Sequence, residues 1–294
     1  MAESSSHKFG QELGKLIEDI VLNDILKPRL VQFVQSKSKN YYLDWQQTRP
    51  ARSGKKVTWK DKYENKHDLD FVIEVDGNDY ELGTPVAFIE CAWRRYTKHS
   101  KNKAQEIQAA ILPIIELHNL SAPFYGAVLA GEFTKPALDQ LRNNGFAIIY
   151  ICYQNVVAAF KEISLDIAFD ETTPDIKYTI ASKKLAALSS SDKKKLGQAL
   201  IRVSKQEIDR FMDTLRKSLE RYIVKIILIP LFGIKYEFNS IDDAVIELNT
   251  LDISCPSGQF ERFEVIVDYD NNDTIRATFQ NKTLLADFLR KLKS

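Results

Sequence analysis

The sequence predicts an α/β fold: a mixed β-sheet covered by helices on both faces, followed by a C-terminal α+β unit. Three observations carry this. Short, nearly continuous apolar runs alternate with helical-period segments as far as about residue 163, the pattern of strands buried on both sides. An acidic stretch with Thr and Pro, 166–175, then interrupts that alternation. Beyond it come one long helical pattern, a long strand, and a hairpin across Asn271-Asn272-Asp273.

Each element has its own signal. Apolar residues at 9, 13, 16, 17, 20 and 21 predict a helix over 9–26. Segment 36–66 lacks a clear period and carries five aromatics (Tyr41, Tyr42, Trp45, Trp59, Tyr63), so extended structure and loops are expected there. Strands are predicted over 69–75 and 85–93, separated by a turn at 76–79. Ser100 is placed to cap a helix reaching about Leu117, with Ala104, Ile107, Ile111 and Ile114 on its inner face. A strand (125–129), a helix (135–143), a strand (147–152) and a helix (155–162) complete a first domain, 1–165. A second domain, 176–294, opens with a helix over 191–221 whose stripe is Leu196, Leu200, Val203, Phe211, Leu215 and Leu219. That stripe suits either its own domain or a second subunit. A strand (222–229), a helix (241–248), the hairpin and a final helix follow.

The chain has 294 residues, 44% hydrophobic and 28% charged, with a net charge of only +1. The distribution of charge says more than the sum. Residues 36–66 hold nine Lys/Arg against three Asp/Glu, and residues 93–103 hold five against none, which predicts a positive face. Cys91, Cys152 and Cys255 lie far apart and form no zinc spacing, so neither a disulfide framework nor a structural zinc is expected and a cytoplasmic setting is. The N-terminus has no basic-then-apolar leader pattern, and the apolar run 223–234 is too short and too interrupted to span a bilayer. Phosphate-loop, dinucleotide-binding and nucleophile-elbow motifs are absent, and four scattered histidines argue against a histidine-rich metal site.

The chemistry concentrates in two stretches, HDLDFVIEVDG from residue 67 and FIECAWRRYTKHSKNKAQEIQ from residue 88. Asp70 opens one strand and Glu90 sits inside the next. Two carboxylates on neighbouring strands are the hard oxygen ligands that Mg²⁺ needs, with the backbone carbonyl of Cys91 as a natural third ligand. Glu90 is flanked by Phe88, Ile89, Cys91, Ala92 and Trp93, where a carboxylate is costly unless paired or metal-bound. The competing reading is an ion pair with Arg94 or Arg95. Asp68 competes with Asp70, which is preferred because an apolar run follows it directly. His67 is a third metal ligand, a base or, as the plainer reading, a polar loop residue.

HDLDFVIE and FIECAW, preceded by the helical GKLIEDIV and followed by KAQEIQ, resemble the PD-(D/E)xK nuclease superfamily over roughly residues 9–163. The resemblance implies a restriction-endonuclease-like core that cuts phosphodiester bonds with Mg²⁺, Mn²⁺ serving as a substitute. By position, Asp70 and Glu90 match the metal-binding acids. Glu18 matches the glutamate that many members place on the first helix, with Glu12 a less favoured substitute and a solvated helix charge the plain alternative. The departure is Ala92, which stands where the family keeps the lysine that polarises the attacking water. Lys98, Lys101 and Lys103 lie nearby, and Lys103 or Lys101 is the expected replacement. Gln108 is expected to help position the water. The alternative is a phosphate-binding patch without catalysis.

QTRPARSGKKVTWK and WRRYTKHSKNK mix cations with aromatic and polar residues, groups that contact phosphates and stack on bases. Arg49, Arg52, Lys55, Lys56, Arg94, Arg95 and Lys98 are the candidate DNA contacts. The resulting expectation is a Mg²⁺-dependent endonuclease acting on double-stranded DNA, as a homodimer or with a partner subunit, in a restriction or anti-phage system. The rival is an inactive nuclease fold retained for DNA binding or as a scaffold in a defence or repair complex.

Overall fold

The computed structural model describes residues 4–37, 39–97, 100–121, 123–170, 172–230, 234–253 and 260–292. The chain divides into two compact units, Met1–Leu215 and Arg216–Ser294. Lys98 and Cys255 lie outside the described residues.

The first unit is α/β. Helix α1 (Ser5–Ile20) is capped by the Ser4 side chain, which accepts from the His7 N–H. It does not stop near residue 26. A π-helical turn (Val21–Leu26) carries it into α2 (Lys27–Gln35). Strand β1 (Tyr41–Trp45) lies in the segment expected to hold extended structure and loops. It forms the edge of a five-stranded sheet. A small hairpin of β2 (Val57–Lys60) and β3 (Lys66–Leu69) stands apart as a two-stranded sheet. The main sheet continues through β4 (Phe71–Val75), β5 (Thr84–Arg94), β6 (Phe124–Gly131) and β7 (Ala147–Cys152) in the order β1-β4-β5-β6-β7. Pairing is antiparallel from β1 to β5 and parallel from β5 to β7.

Helices α3 (Ser100–Leu117) and α4 (Lys135–Asn143) follow β5 and β6, and α5 (Tyr153–Lys161) follows β7. The alternation of side chains along β5 decides which face each helix covers. Phe88 and Ala92 pack in one buried cluster with Ala104, Ile107, Ile111 and Ile114 of α3 and Leu138 and Leu141 of α4. Trp93 points the other way, where its indole meets Tyr153 of α5 and the backbone of α1 at Gly14. A Cβ at residue 14 would sit 2.8 Å from the indole. Gly14 therefore sets how closely α1 approaches β5.

The stretch after residue 165 is not a linker into a second domain. Asp175–Ala186 forms α6, which packs on α1 through Tyr178, whose ring meets Phe9 at 5.7 Å. The helix expected over 191–221 is two helices, α7 (Ser190–Val203) and α8 (Lys205–Leu219), divided at Ser204, whose backbone leaves the helical region. Leu196, Leu200, Phe211 and Leu215 are buried, whereas Val203 is exposed. Phe211 stands edge-on to Phe124 at 5.3 Å, over Gly126 of β6. The stripe thus packs within its own chain, and the division between units falls at 215/216 instead of 165–176.

The second unit contains β8 (Ile223–Pro230), β9 (Tyr236–Phe238), α9 (Ile241–Thr250), β10 (Phe263–Tyr269), β11 (Thr274–Phe279) and α10 (Lys282–Lys291). The strands form an antiparallel sheet in the order β11-β10-β8-β9. The hairpin pairs Phe263 with Phe279 and Asp268 with Thr274, so the turn falls on the Asn-rich segment that marks it in the sequence. Among the described residues no helix is long and apolar enough to cross a membrane.

Candidate active site

Register brings the two principal acids together. Strands β4 and β5 pair Phe71 with Ile89 and Val72 with Phe88. One further step of that register sets Asp70, at the bend between β3 and β4, opposite Glu90. Directly opposed residues share a face of the sheet, and Val72 and Phe88 place that face on the α3 side.

β4 begins at Phe71, so beyond Ile89 strand β5 has no neighbour on that edge. Carboxylates take its edge donors instead. The Cys91 N–H donates to Asp70 Oδ2 at 2.7 Å, and the Trp93 N–H donates to Glu18 Oε1 at 3.3 Å. On a strand the N–H and C=O of one residue leave on the same edge, so the Cys91 carbonyl is directed towards Asp70. Glu18 reaches this edge because Gly14, one helical turn earlier, lets α1 lie close against Trp93.

Glu90 is the least satisfied of the three acids. Its Oε2 is buried without a hydrogen-bond partner among the described residues. Burial, then the charge of Asp70, pushes its pKa up to about 8. Burial likewise pushes Asp70 up to about 6, with Glu18 adding to the rise and the Cys91 N–H opposing it. Glu18 is raised by burial as well. A cluster of carboxylates held this way repels itself and has an unmet need for positive charge.

One side chain supplies part of it. Lys103, in the first turn of α3, favours the ionised form of all three acids. It precedes Ala104, which packs in the same cluster as Ala92, so α3 delivers an ammonium to the strand face where residue 92 offers only a methyl group. Lys103 is 20% exposed, and Glu106 is its ion-pair partner at 3.6 Å.

The other candidates go elsewhere. Lys101 is exposed and is not among the charges acting on the acids. Gln108 exchanges hydrogen bonds with Gln140 of α4, donating to its carbonyl at 3.1 Å and accepting from its side chain at 2.7 Å. It braces two helices and does not reach the acids. Asp68 is exposed and bound to Lys56 and Thr58, both at 2.6 Å, and His67 pairs with Asp61 at 2.9 Å. Both are therefore committed to the β2–β3 hairpin. Glu12 lies near Lys8 at 4.0 Å, with its Oε2 buried and without a hydrogen-bond partner among the described residues.

Three of the expected DNA contacts are structural. Arg49 is fully buried, forked onto Glu74 at 2.6 and 3.0 Å, bonded to Asp44 at 2.9 Å, and donating to the carbonyls of Asn78 and Glu81. Arg52 clamps the other side of Asp44 and four backbone carbonyls. Arg95 is 7% exposed and lies against the rings of Phe9, Tyr96 and Tyr178. Arg49 and Arg95 tie together segments distant in sequence, and Arg52 closes its own loop, which a run of basic residues does not reveal. Arg94 donates to the Trp93 carbonyl at 2.8 Å and lies 3.7 Å from Glu106, at the rim of the acid cluster. Lys55 is exposed, and Lys56 is exposed in its pair with Asp68.

The donor set fits a hard divalent cation. It offers two apposed carboxylates, a strand-edge carbonyl, and a buried carboxylate oxygen that nothing else satisfies. Among the described residues no group of three or more His, Cys, Asp or Glu side chains stands at metal-binding spacing; the set therefore rests on two side chains, a carbonyl and water.

The raised carboxylates have a consequence for stability. Between the usual glutamate value of 4.5 and about 8, the folded chain holds a proton on Glu90 that the unfolded chain has released. Stability therefore falls as pH rises through that window. Urea denaturation in a chelator is expected to show wild type losing stability relative to Glu90→Gln between pH 5 and 8.5. Parallel curves for the two proteins would refute this.

In class, the first unit is an α/β protein with a mixed sheet and an acid cluster at an open strand edge. No protein-family model matches the chain, and no curated protein matches it. A solved structure titled as a protein of unknown function, AF1548, is similar to it at 14% identity. That match covers 62% of this chain and 96% of the other, with a TM-score of 0.27.

Proposed function

We propose that this protein is a Mg²⁺-dependent DNA endonuclease of the PD-(D/E)xK kind, with a restriction-endonuclease-like core. The observation that carries the reading is the meeting of Asp70, Glu90, Glu18 and Lys103 at the open edge of β5. In this reading Asp70, Glu90 and the Cys91 carbonyl hold the metal, Mn²⁺ substituting for Mg²⁺. The bound ion supplies Lewis-acid activation of water and neutralises charge on the scissile phosphate. Glu18 holds the Trp93 N–H and with it the course of β5 past the acids. Lys103 places an ammonium where charge develops on the phosphate, the task that the motif lysine performs in the family. Arg94 and Lys101, on either side of the cluster, and Lys55 and Lys56 on the β2–β3 hairpin remain available to DNA phosphates. Double-stranded DNA as substrate, a homodimer or partner subunit, and a cytoplasmic restriction or anti-phage role complete the reading.

Ala92 favours a second reading, an inactive nuclease fold that binds DNA or serves as a scaffold in a defence or repair complex. One experiment separates the two. Supercoiled plasmid and phage DNA, methylated and unmethylated, are incubated with Mg²⁺ or Mn²⁺ and wild type or Glu90→Ala. Nicked or linear products from wild type alone, abolished by chelator, are expected. Intact DNA with both proteins, together with no metal binding by calorimetry, would establish the inactive reading.

A further inference from the structure

Beside the acid cluster, one carboxylate oxygen is shared by two cations. Glu106 Oε2 lies 3.6 Å from Lys103 Nζ and 3.7 Å from Arg94 Nη2. The cations come from different elements, Arg94 from the end of β5 and Lys103 from the first turn of α3. Both favour the ionised form of Glu18, so the pair borders the same acids.

The cations are held from behind, whereas the carboxylate is not. Arg94 is fixed through Nη1, which donates to the Trp93 carbonyl at 2.8 Å and leaves Nη2 to Glu106. The Lys103 side chain is 20% exposed and that of Glu106 is 59% exposed. Both separations from Glu106 exceed the roughly 2.7–3.2 Å of an N–H···O hydrogen bond. Glu116, further along the same helix, is by contrast in close contact with Lys62. Arg94 and Lys103 therefore keep donors that Glu106 attracts but does not satisfy, at a point open to solvent.

Glu106 meets both cations through a single oxygen. A phosphodiester presents two unesterified oxygens, one for each cation, and makes charge-assisted hydrogen bonds with both. We infer that Arg94 and Lys103 bind one phosphodiester group of a DNA strand, and that Glu106 occupies this position in the free protein as an internal competitor. The inference rests on the nuclease reading and names a strand contact beside its metal site. Because the phosphate replaces an ion pair that already exists, losing a cation costs little affinity, whereas losing Glu106 raises it. Each entering strand must displace Glu106, which disfavours strands that lack the remaining contacts.

The test is equilibrium binding of a labelled duplex in a chelating buffer at low salt, which needs neither metal nor cleavage. Glu106→Gln is expected to bind duplex about three- to fivefold more tightly than wild type, the scale of two exposed ion pairs. In an Arg94→Gln background the gain should shrink to about twofold or less, because the two side chains act through one contact. Glu116→Gln, which removes a paired carboxylate of the same helix, should give no gain. Inorganic phosphate is measured as a competitor of the duplex. With Mg²⁺ present, the gain should appear as a lower DNA concentration for half-maximal cleavage. Several results would overturn the inference: duplex binding unchanged, weakened or absent in Glu106→Gln, or a full gain from Glu116→Gln or in the Arg94→Gln background. Tighter binding of inorganic phosphate without tighter binding of duplex would assign the position to a free anion and overturn it too. A slower maximal rate with no gain in affinity would make Glu106 a positioning residue for Lys103 instead. The nuclease reading is decided separately, by whether wild type cuts DNA with metal.

Discussion

Under the proposed nuclease function, replacing Lys103 by alanine is expected to lower the rate of DNA cleavage by about 10²–10³-fold, the usual cost of removing one group that stabilises transition-state charge. The loss should appear in the maximal rate and not in the affinity for DNA, because phosphates along the backbone are held by other cations. Metal affinity should not weaken, since removing a cation beside Asp70, Glu90 and Glu18 leaves the acids more attractive to another. Lys103→Met keeps most of the stem and should lose as much. Lys101→Ala is the matched control, because Lys101 is an exposed lysine of the same helical turn. Single-turnover cleavage of a defined duplex measures all three. A Lys103→Ala enzyme as fast as wild type, or a loss that follows Lys101 instead, would remove Lys103 from the mechanism. The expectation rests on helix packing. Ala104 and Ala92 share one buried cluster, so the first turn of α3 overlies the strand face that carries Ala92.

Arg49→Ala is expected to destabilise the fold by about 3–5 kcal/mol, the range for breaking a buried ion pair from one side. Glu74 would be left buried without its guanidinium, Asp44 would keep only Arg52, and the carbonyls of Asn78 and Glu81 would lose a donor. Burial by itself would lower the Arg49 pKa, and the hydrogen bonds and charges of Glu74 and Asp44 outweigh it and raise it. The guanidinium therefore stays charged and paired. Arg49→Lys should recover only part of the loss, because an ammonium cannot reproduce the planar fork onto Glu74. Urea denaturation at pH 7 measures the difference. A variant as stable as wild type that binds DNA more weakly would return Arg49 to the DNA-contacting set.

Much of the core was legible in the sequence. Apolar runs at 69–75, 85–93, 125–129 and 147–152 became four strands of the main sheet, because a strand buried on both faces has to be almost wholly apolar. The inner face of α3 was legible from the spacing of Ala104, Ile107, Ile111 and Ile114. Strand β1 was harder to see, since an edge strand tolerates the mixed pattern of YYLDW. α6 is only weakly amphipathic, and a window of helical residues 190–219 hides the break at Ser204.

The sequence by itself singled out Glu90, because a carboxylate amid an apolar strand is anomalous without reference to any fold, whereas Asp70 stood in competition with Asp68 until the register of β4 on β5 set it opposite Glu90. Tertiary structure alone decided which cations answer them. Arg49, Arg52 and Arg95 look like the lysines around them in a count of charge, yet their partners arrive from 2 to 89 residues away and enclose them. Lys101 and Lys103 differ by two positions, which on a helix is more than half a turn, and only the packing of α3 on β5 turns one of them towards the acids and the other to solvent. Composition records which charges a chain carries, whereas their roles depend on which of them folding leaves unpaired.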